Sequence, residues 1–172
     1  MDDVKWAIAR EIPHLRRYAR ALLRDADAAD DLVQDCLERA IKKRHLWRRR
    51  GSLRSWLFRI VYTQFLNGRA RRDKAQKTDS LDALDRPIAL PASQIDHAEA
   101  VEVLDQLLTI DEDQRAALLL VAVEGMAYDE AADALGIPIG TLRSRLWRAR
   151  EALKVARPGR PGRRRPSLRA VK

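Results

Sequence analysis

Cysteine is almost absent from this chain. Cys36 is the only one in 172 residues, which excludes an intramolecular disulfide and any CxxC metal or redox site and fits a reducing cytosol. Glycine and proline are sparse too, at seven each, too few for a turn-rich β fold, so helices are expected. No long hydrophobic run occurs: the longest, Ala116 to Val123, has eight residues, against roughly 20 for a membrane-spanning helix. The opening residues MDDVKWAIAREIPHL show no charged-then-apolar signal pattern, so membrane insertion is not expected. Catalytic signatures are missing as well. His14, His45 and His97 are scattered, and no HExxH, GxSxG or P-loop pattern occurs. The carboxylates at Asp30/Asp31 and Asp111/Asp113 fall at helix starts, where capping explains them. No enzyme activity, small-molecule substrate, cofactor or metal is therefore expected.

What the chain has in quantity is charge, and the charge is partitioned. The formal net charge is +9, which favours a polyanionic partner, nucleic acid before an anionic membrane surface. Residues 1–72 carry 18 Lys+Arg against 9 Asp+Glu, residues 73–138 carry 4 against 15, and residues 139–172 carry 12 against 1. The chain is basic, then acidic, then basic.

The hydrophobic pattern has helical period in both halves. Pro13 suits the first turn of a helix, so a short turn is expected before it and a helix from about 13 to 24. Asp25 or Asp27 can cap a second helix, with Ala29, Leu32, Val33, Cys36, Leu37 and Ala40 as its apolar stripe. After the basic connector KKRHLWRRRG, Ser52 can cap a third helix ending near Arg72, with Leu53, Trp56, Leu57, Ile60, Val61 and Phe65 inward. Residues 73–97 lose periodicity and gather Asp, Ser, Thr and two prolines, as a flexible linker would. Beyond it, Val101, Leu104, Leu107 and Leu108 mark one helix, and Asp111 with Gln114 forms a capping box opening another, which Gly125 can stop in a left-handed cap. A short helix at about 128–135 and a long one at about 139–154 follow. The tail RPGRPGRRRPSLRAVK has no apolar face to bury and is expected to be disordered, with a minor part in DNA affinity.

The fold expected is all-α: two small helical domains, each marginal alone, joined by a flexible linker, the second containing a helix-turn-helix. The divisions are 1–75, a linker over 76–97, 98–156, and a basic tail over 157–172. The helix-turn-helix is YDEAADALGIPIGTLRSRLWRAR, residues 128–150: a short helix, a turn at Gly136 needing positive φ, and a second helix. Ala131, Ala132, Leu135, Ile137, Leu142 and Leu146 can pack the pair. Thr141, Arg143, Ser144, Trp147, Arg148 and Arg150 fall largely outside that stripe, a basic surface suited to a major groove. The alternative is a solvated basic helix that never meets DNA.

At this point the sequence resembles a known family. LLTIDEDQRAALLLVAVEGMAYDEAADALGIPIGTLRSRLWRARE is similar to the carboxy-terminal promoter-binding domain of extracytoplasmic-function sigma factors of bacterial RNA polymerase. DADAADDLVQDCLERAI followed by GSLRSWLFRIVYTQFLNGRARR resembles that family's amino-terminal domain. The resemblance implies that Thr141, Arg143, Ser144, Trp147 and Arg148 contact the minus-thirty-five element, with Gly140 near a phosphate. Ala127 departs from the family's usual Ser or Thr cap, at a cost of about 1 kcal/mol.

In the first half, His45, Trp47, Arg48, Arg49 and Arg50, then Trp56, Arg59, Tyr62, Arg69, Arg71 and Arg72, interleave basic and aromatic groups in a way that suits single-stranded DNA. Trp56, at helical spacing with Leu53 and Ile60, belongs to the core before it belongs to a stacking platform; Trp47 is the better DNA candidate. The resemblance implies that this connector captures a flipped base of the minus-ten element and that the following helix binds the opened strand. His45, Trp47, Arg48, Arg49, Arg59, Tyr62, Thr63, Arg71 and Arg72 are then the candidate contacts, Thr63 standing where the family often has Asn. The acidic face Asp30, Asp31, Gln34, Asp35 and Glu38 would repel DNA; dipole complementation and solvation explain it, or a protein partner does. The resemblance implies docking on core RNA polymerase through Asp31, Leu32, Gln34 and Asp35.

The expected partners are core RNA polymerase, promoter DNA and an anti-sigma factor, in the cytoplasm, with no chemistry catalysed. Two other readings remain open from the residues alone. A stand-alone regulator would normally dimerise and carry a ligand or receiver domain. An RNA-binding or chromatin-associated protein would bind with little sequence preference and strong salt dependence, and would leave the acidic face unexplained.

Overall fold

The computed structural model describes residues 3–23, 25–47, 52–76 and 106–155, all helix or short connection, with no strand among them. In chain order these are α1 (Asp3–Leu23), α2 (Ala26–Lys43), a 3-10 turn (Arg44–Leu46), α3 (Leu53–Gln76), α4 (Glu112–Leu118), which runs on through a π-helical turn (Leu119–Val123), α5 (Tyr128–Leu135) and α6 (Ile139–Val155). All of the expected 76–97 linker but residue 76, the tail over 157–172, and the apolar positions Val101 and Leu104 lie outside the described residues, as do Arg48, Arg49 and Arg50. Residue 76 closes α3.

Helices α1, α2 and α3 pack around one apolar centre formed by Leu15, Tyr18 and Leu22, by Val33 and Cys36, and by Leu57, Phe58, Val61 and Phe65. Tyr18 meets Phe58 edge to face, with ring centroids 5.2 Å apart and planes at 82°, the arrangement the ring quadrupoles favour. The Cys36 thiol donates to the Leu57 carbonyl at 3.6 Å, and burial pushes its pKa up to about 12. Asp25 caps α2 by accepting from the amides of Asp27 and Ala28. The Ser52 hydroxyl accepts from the Ser55 amide at the start of α3.

Two expectations are corrected. The first helix starts at Asp3, with Pro13 inside it. Proline deletes one amide donor there, but Ala9 and Pro13 are both exposed, so water can satisfy the freed carbonyl. Burial of Ile8 on one side and Leu15 on the other keeps the helix continuous. The inward face of α3 is also turned from the expected one: Phe58 and Tyr62 are buried, while Leu53, Trp56 and Ile60 are only half-buried.

In the second half, α4 and α6 pack together with α5 across Ala116, Leu120, Ala131, Ala134, Leu142, Leu146 and Ala149. The four alanines let the backbones approach closely. Asp111 accepts from the amides of Asp113 and Gln114 at the head of α4. At its tail the π-helical turn makes the Glu124 amide bond to the Leu119 carbonyl, and Gly125 takes φ 65°. Met126 then bonds back to Leu120, one residue further than the equivalent bond from Ile137 to Ala132 after Gly136. The extra residue is the one the wider turn accommodates, and Glu124 at its end points into the protein.

The halves pack on one another. Helix α5 lies along α3, and α1 touches α4 and its π-helical extension.

Candidate nucleic-acid and polymerase interfaces

The helix-turn-helix is the most directly built part. Gly136 adopts φ 65° and ψ 35° at the C-cap of α5, a conformation costing a residue with a Cβ about 1–2 kcal/mol. Ala127 offers no side-chain cap; instead Glu130 reaches back to accept from the Ala127 amide at 3.4 Å, half of a capping box, which offsets part of the missing cap. On α6, Leu142, Leu146 and Ala149 face inward. Gly140, Arg143, Ser144, Trp147 and Arg148 are exposed and Thr141 is half-buried, so the six candidates lie on one accessible side of the helix. Trp147 is 64% exposed, far more than a core indole. The Ser144 hydroxyl donates to the Thr141 carbonyl at 2.9 Å, which leaves its lone pairs outward. Arg145, between these residues in sequence, turns to the other side and belongs to a different arrangement.

The strand-binding candidates divide. His45, Arg59, Thr63, Arg71 and Arg72 are exposed. Thr63 donates to the Arg59 carbonyl at 2.7 Å, a bond within the helix that any α-helical threonine can form. Trp47 is half-buried, its indole nitrogen enclosed. Tyr62 is buried, and its hydroxyl donates to Asp113 at 3.0 Å. Burial and then the Asp113 charge raise its pKa, so it stays a neutral donor. Of the docking candidates, Asp31, Gln34 and Asp35 are exposed on α2, whereas Leu32 belongs to the core at 9% exposure. Its place in the Ala29–Val33 stripe decides this, and the exposed face of α2 is polar and acidic. A groove of about 290 Å³ between α2 and α3 is walled by Asp31 and Asp35 on one side and Arg71 and Arg72 on the other.

Sequence reasoning missed two charged clusters that join the halves. The Glu124 side chain has 0% exposure and accepts from His14 at 2.9 Å, from Arg17 at 2.8 and 2.9 Å, and from Arg54 at 2.7 Å. Burial would push its carboxyl up, but the hydrogen bonds from Arg17, His14 and Arg54 outweigh it and leave the pKa below the ordinary carboxylate value. The same bond raises Arg17. Asp113 receives Tyr62, Arg69 at 3.2 Å and Arg145 at 3.0 Å. One signal was available: Glu124 is the charge that ends the eight-residue apolar run, and a carboxylate there is enclosed unless the helix stops short. Among the described residues no cluster could hold a metal ion, and no helix is long and apolar enough to cross a membrane.

Comparison with known proteins adds an independent finding. A family model described as the Sigma2 domain of PhyR matches residues 8–62, and one described as Sigma-70, region 4 matches residues 100–153. The chain is 35% identical over 155 residues to the ECF RNA polymerase sigma factor EcfG of Rhodopseudomonas palustris, covering 90% of this chain and 84% of the relative. It is 35% identical to the ECF RNA polymerase sigma factor SigC of Mycobacterium tuberculosis, covering 77% and 72%. Among solved structures, the sigma factor RpoE in complex with the anti-sigma factor NepR from Bartonella quintana superposes with a TM-score of 0.80 at 31% identity, covering 91% of this chain and 97% of that one.

Proposed function

The chain belongs to the extracytoplasmic-function sigma factors of bacterial RNA polymerase, and we propose from that premise how its two helical domains divide promoter recognition. The polar α2 face of Asp31, Gln34 and Asp35 docks on core polymerase. The connector after α2, with His45, Trp47, Arg48 and Arg49, and the α3 residues Arg59, Tyr62, Thr63, Arg71 and Arg72 take the opened minus-ten strand, aromatic and basic groups serving bases and phosphates respectively. The exposed side of α6 reads the minus-thirty-five element, Arg143 and Arg148 offering bidentate donors to guanine and Gly140 lying near a phosphate at the helix start.

The observation that carries this reading is the accessible basic side of α6 behind a positive-φ glycine turn, with Trp147 and two arginines outward while Leu142 and Leu146 anchor the helix. Control by an anti-sigma factor is supported by the Bartonella neighbour, whose solved form is a complex with NepR. The work is binding and not catalysis, and it takes place in the cytoplasm, where the polymerase is.

Reconstitution tests the proposal. Purified chain added to core polymerase on promoter fragments is expected to create selective initiation where core enzyme alone gives none. A chain that neither binds core enzyme nor changes where transcripts start would remove the reading.

A further inference from the structure

We infer that core polymerase docks in the groove between α2 and α3 and not on α2 alone, with Arg39, Gln64 and Asn67 as further docking residues, and that the polymerase segment seated there carries both basic and acidic side chains. This rests on the assignment of the α2 face to polymerase docking.

The groove has a volume of about 290 Å³. Asp31, Asp35 and Arg39 form its α2 wall, each one turn beyond the last, so they stand in a row along the helix. Gln64, Asn67 and Arg71 form the α3 wall, again a turn apart. They lie on the side of α3 turned away from Tyr62 and Arg69, which meet Asp113 of the second domain. Leu32 and Phe65 are buried and also border the groove, so core packing fixes the spacing of its walls.

Two observations mark this groove as an interface awaiting its partner. Opposite charges line it without pairing: Asp31, Asp35, Arg39 and Arg71 are exposed, and no side-chain ion pair or hydrogen bond holds any of them among the described residues. Their neighbours behave differently, Asp30 of α2 taking Arg16 and Arg20 and Arg69 of α3 taking Glu112 and Asp113. The second observation is the Gln64 amide nitrogen, which is enclosed and has no hydrogen-bond partner; a buried donor left so is costly until an acceptor reaches it. Two signs of charge in one groove also select among partners. A nucleic-acid strand drawn to the arginines is repelled by Asp31 and Asp35, whereas a protein segment can match both signs. The occupant therefore offers Lys or Arg to Asp31 and Asp35, Asp or Glu to Arg39, and an acceptor to Gln64. Arg71 stands at the margin of the strand-binding residues and is left unaltered in the test.

The test measures the affinity of the full chain for core polymerase, by competition with a fluorescently labelled parent chain, beside the far-UV circular dichroism and urea midpoint of each variant. R39E is expected to weaken polymerase binding about tenfold, with R39K binding nearly as the parent does. Q64L should weaken it about threefold while its urea midpoint holds or rises, because leucine removes the unsatisfied donor. N67F, which fills the groove from the exposed α3 position, should weaken it as R39E does. Should Q64L lose helicity, N67F carries the α3 arm. Full polymerase affinity in R39E overturns the inference, and so does loss in R39E with none in Q64L or N67F, since Arg39 then acts only from the open α2 face. If Asp31→Arg with Asp35→Arg lowers polymerase affinity while all three groove variants keep it, docking on α2 stands and the groove is removed; if that pair keeps it too, the α2 assignment itself fails. Loss of affinity for a labelled single-stranded oligonucleotide with polymerase affinity kept would give the groove to DNA and overturn the inference.

Discussion

Two arginine-bearing helix faces in this protein have similar composition and opposite availability. On α6, Arg143 and Arg148 are exposed beside Trp147. On α3, Arg54 and Arg69 are bound to Glu124 and Asp113, carboxylates from the other half of the chain, and Tyr62 is buried with them. Charge counts along the sequence report both helices as basic, but Arg54 and Arg69 are engaged by carboxylates while Arg59, Arg71 and Arg72 of the same helix stay exposed. The difference between an open arginine and an engaged one lies in contacts between residues 44 to 70 positions apart.

The comparison can be broken at several points. Leu146→Ala should have the largest effect: it empties a fully enclosed site under α6 and should cost about 2–5 kcal/mol, seen as a lower midpoint in thermal or urea unfolding, and it would remove the support of the reading face. Arg143→Ala and Arg148→Ala should each lose about 1–3 kcal/mol of discrimination for the upstream promoter element, measured as the ratio of affinities for matched and mismatched duplexes. Arg145→Ala, whose guanidinium faces Asp113, should leave that ratio unchanged while loosening the halves. Gly136→Ala should cost about 1–2 kcal/mol through its positive φ, and a denaturation midpoint would register it without any change in which bases are read.

The smallest effect comes from pH. Glu124 has a lowered pKa in the folded chain, so its share of stability is complete above the ordinary carboxylate value near 4.5 and is lost as pH falls through the depressed one. The urea midpoint should therefore keep the Glu124 contribution from neutral pH down to that range and lose it below, and E124Q should flatten this part of the profile.

Much of the architecture was legible in the sequence because its signals are local. The span of α5 at 128–135, the left-handed Gly136, a cap at Asp25 or Asp27 and the outward Arg143, Ser144, Trp147 and Arg148 of α6 all follow from residues within a turn or two of each other. Pro13 misled because a proline rule describes an isolated helix, and two buried neighbours outweighed it. The face of α3 was misjudged for a related reason: Phe58 and Tyr62 are buried by different partners, Phe58 by Tyr18 of α1 and Tyr62 by the second domain, so no single stripe describes the helix. Leu32 was assigned both a core place and a docking role, and it lies in the core at 9% exposure. The two carboxylate clusters had no local signature beyond a charge closing an apolar run. Asp113 read as a helix-start carboxylate, a position it does occupy in α4, which concealed its longer-range partners.

The central claim is that polymerase docking and promoter reading sit on separate faces, α2 and α6, of one sigma factor. The most direct measurement compares two variants in two assays: Asp31→Arg with Asp35→Arg, and Arg143→Ala with Arg148→Ala, each scored for affinity to core polymerase and for affinity of the assembled holoenzyme to matched over mismatched upstream-element DNA. The account predicts a crossed result, the first variant losing polymerase affinity with its DNA preference intact and the second losing DNA preference with its polymerase affinity intact. Parallel losses in both assays from either variant would contradict it.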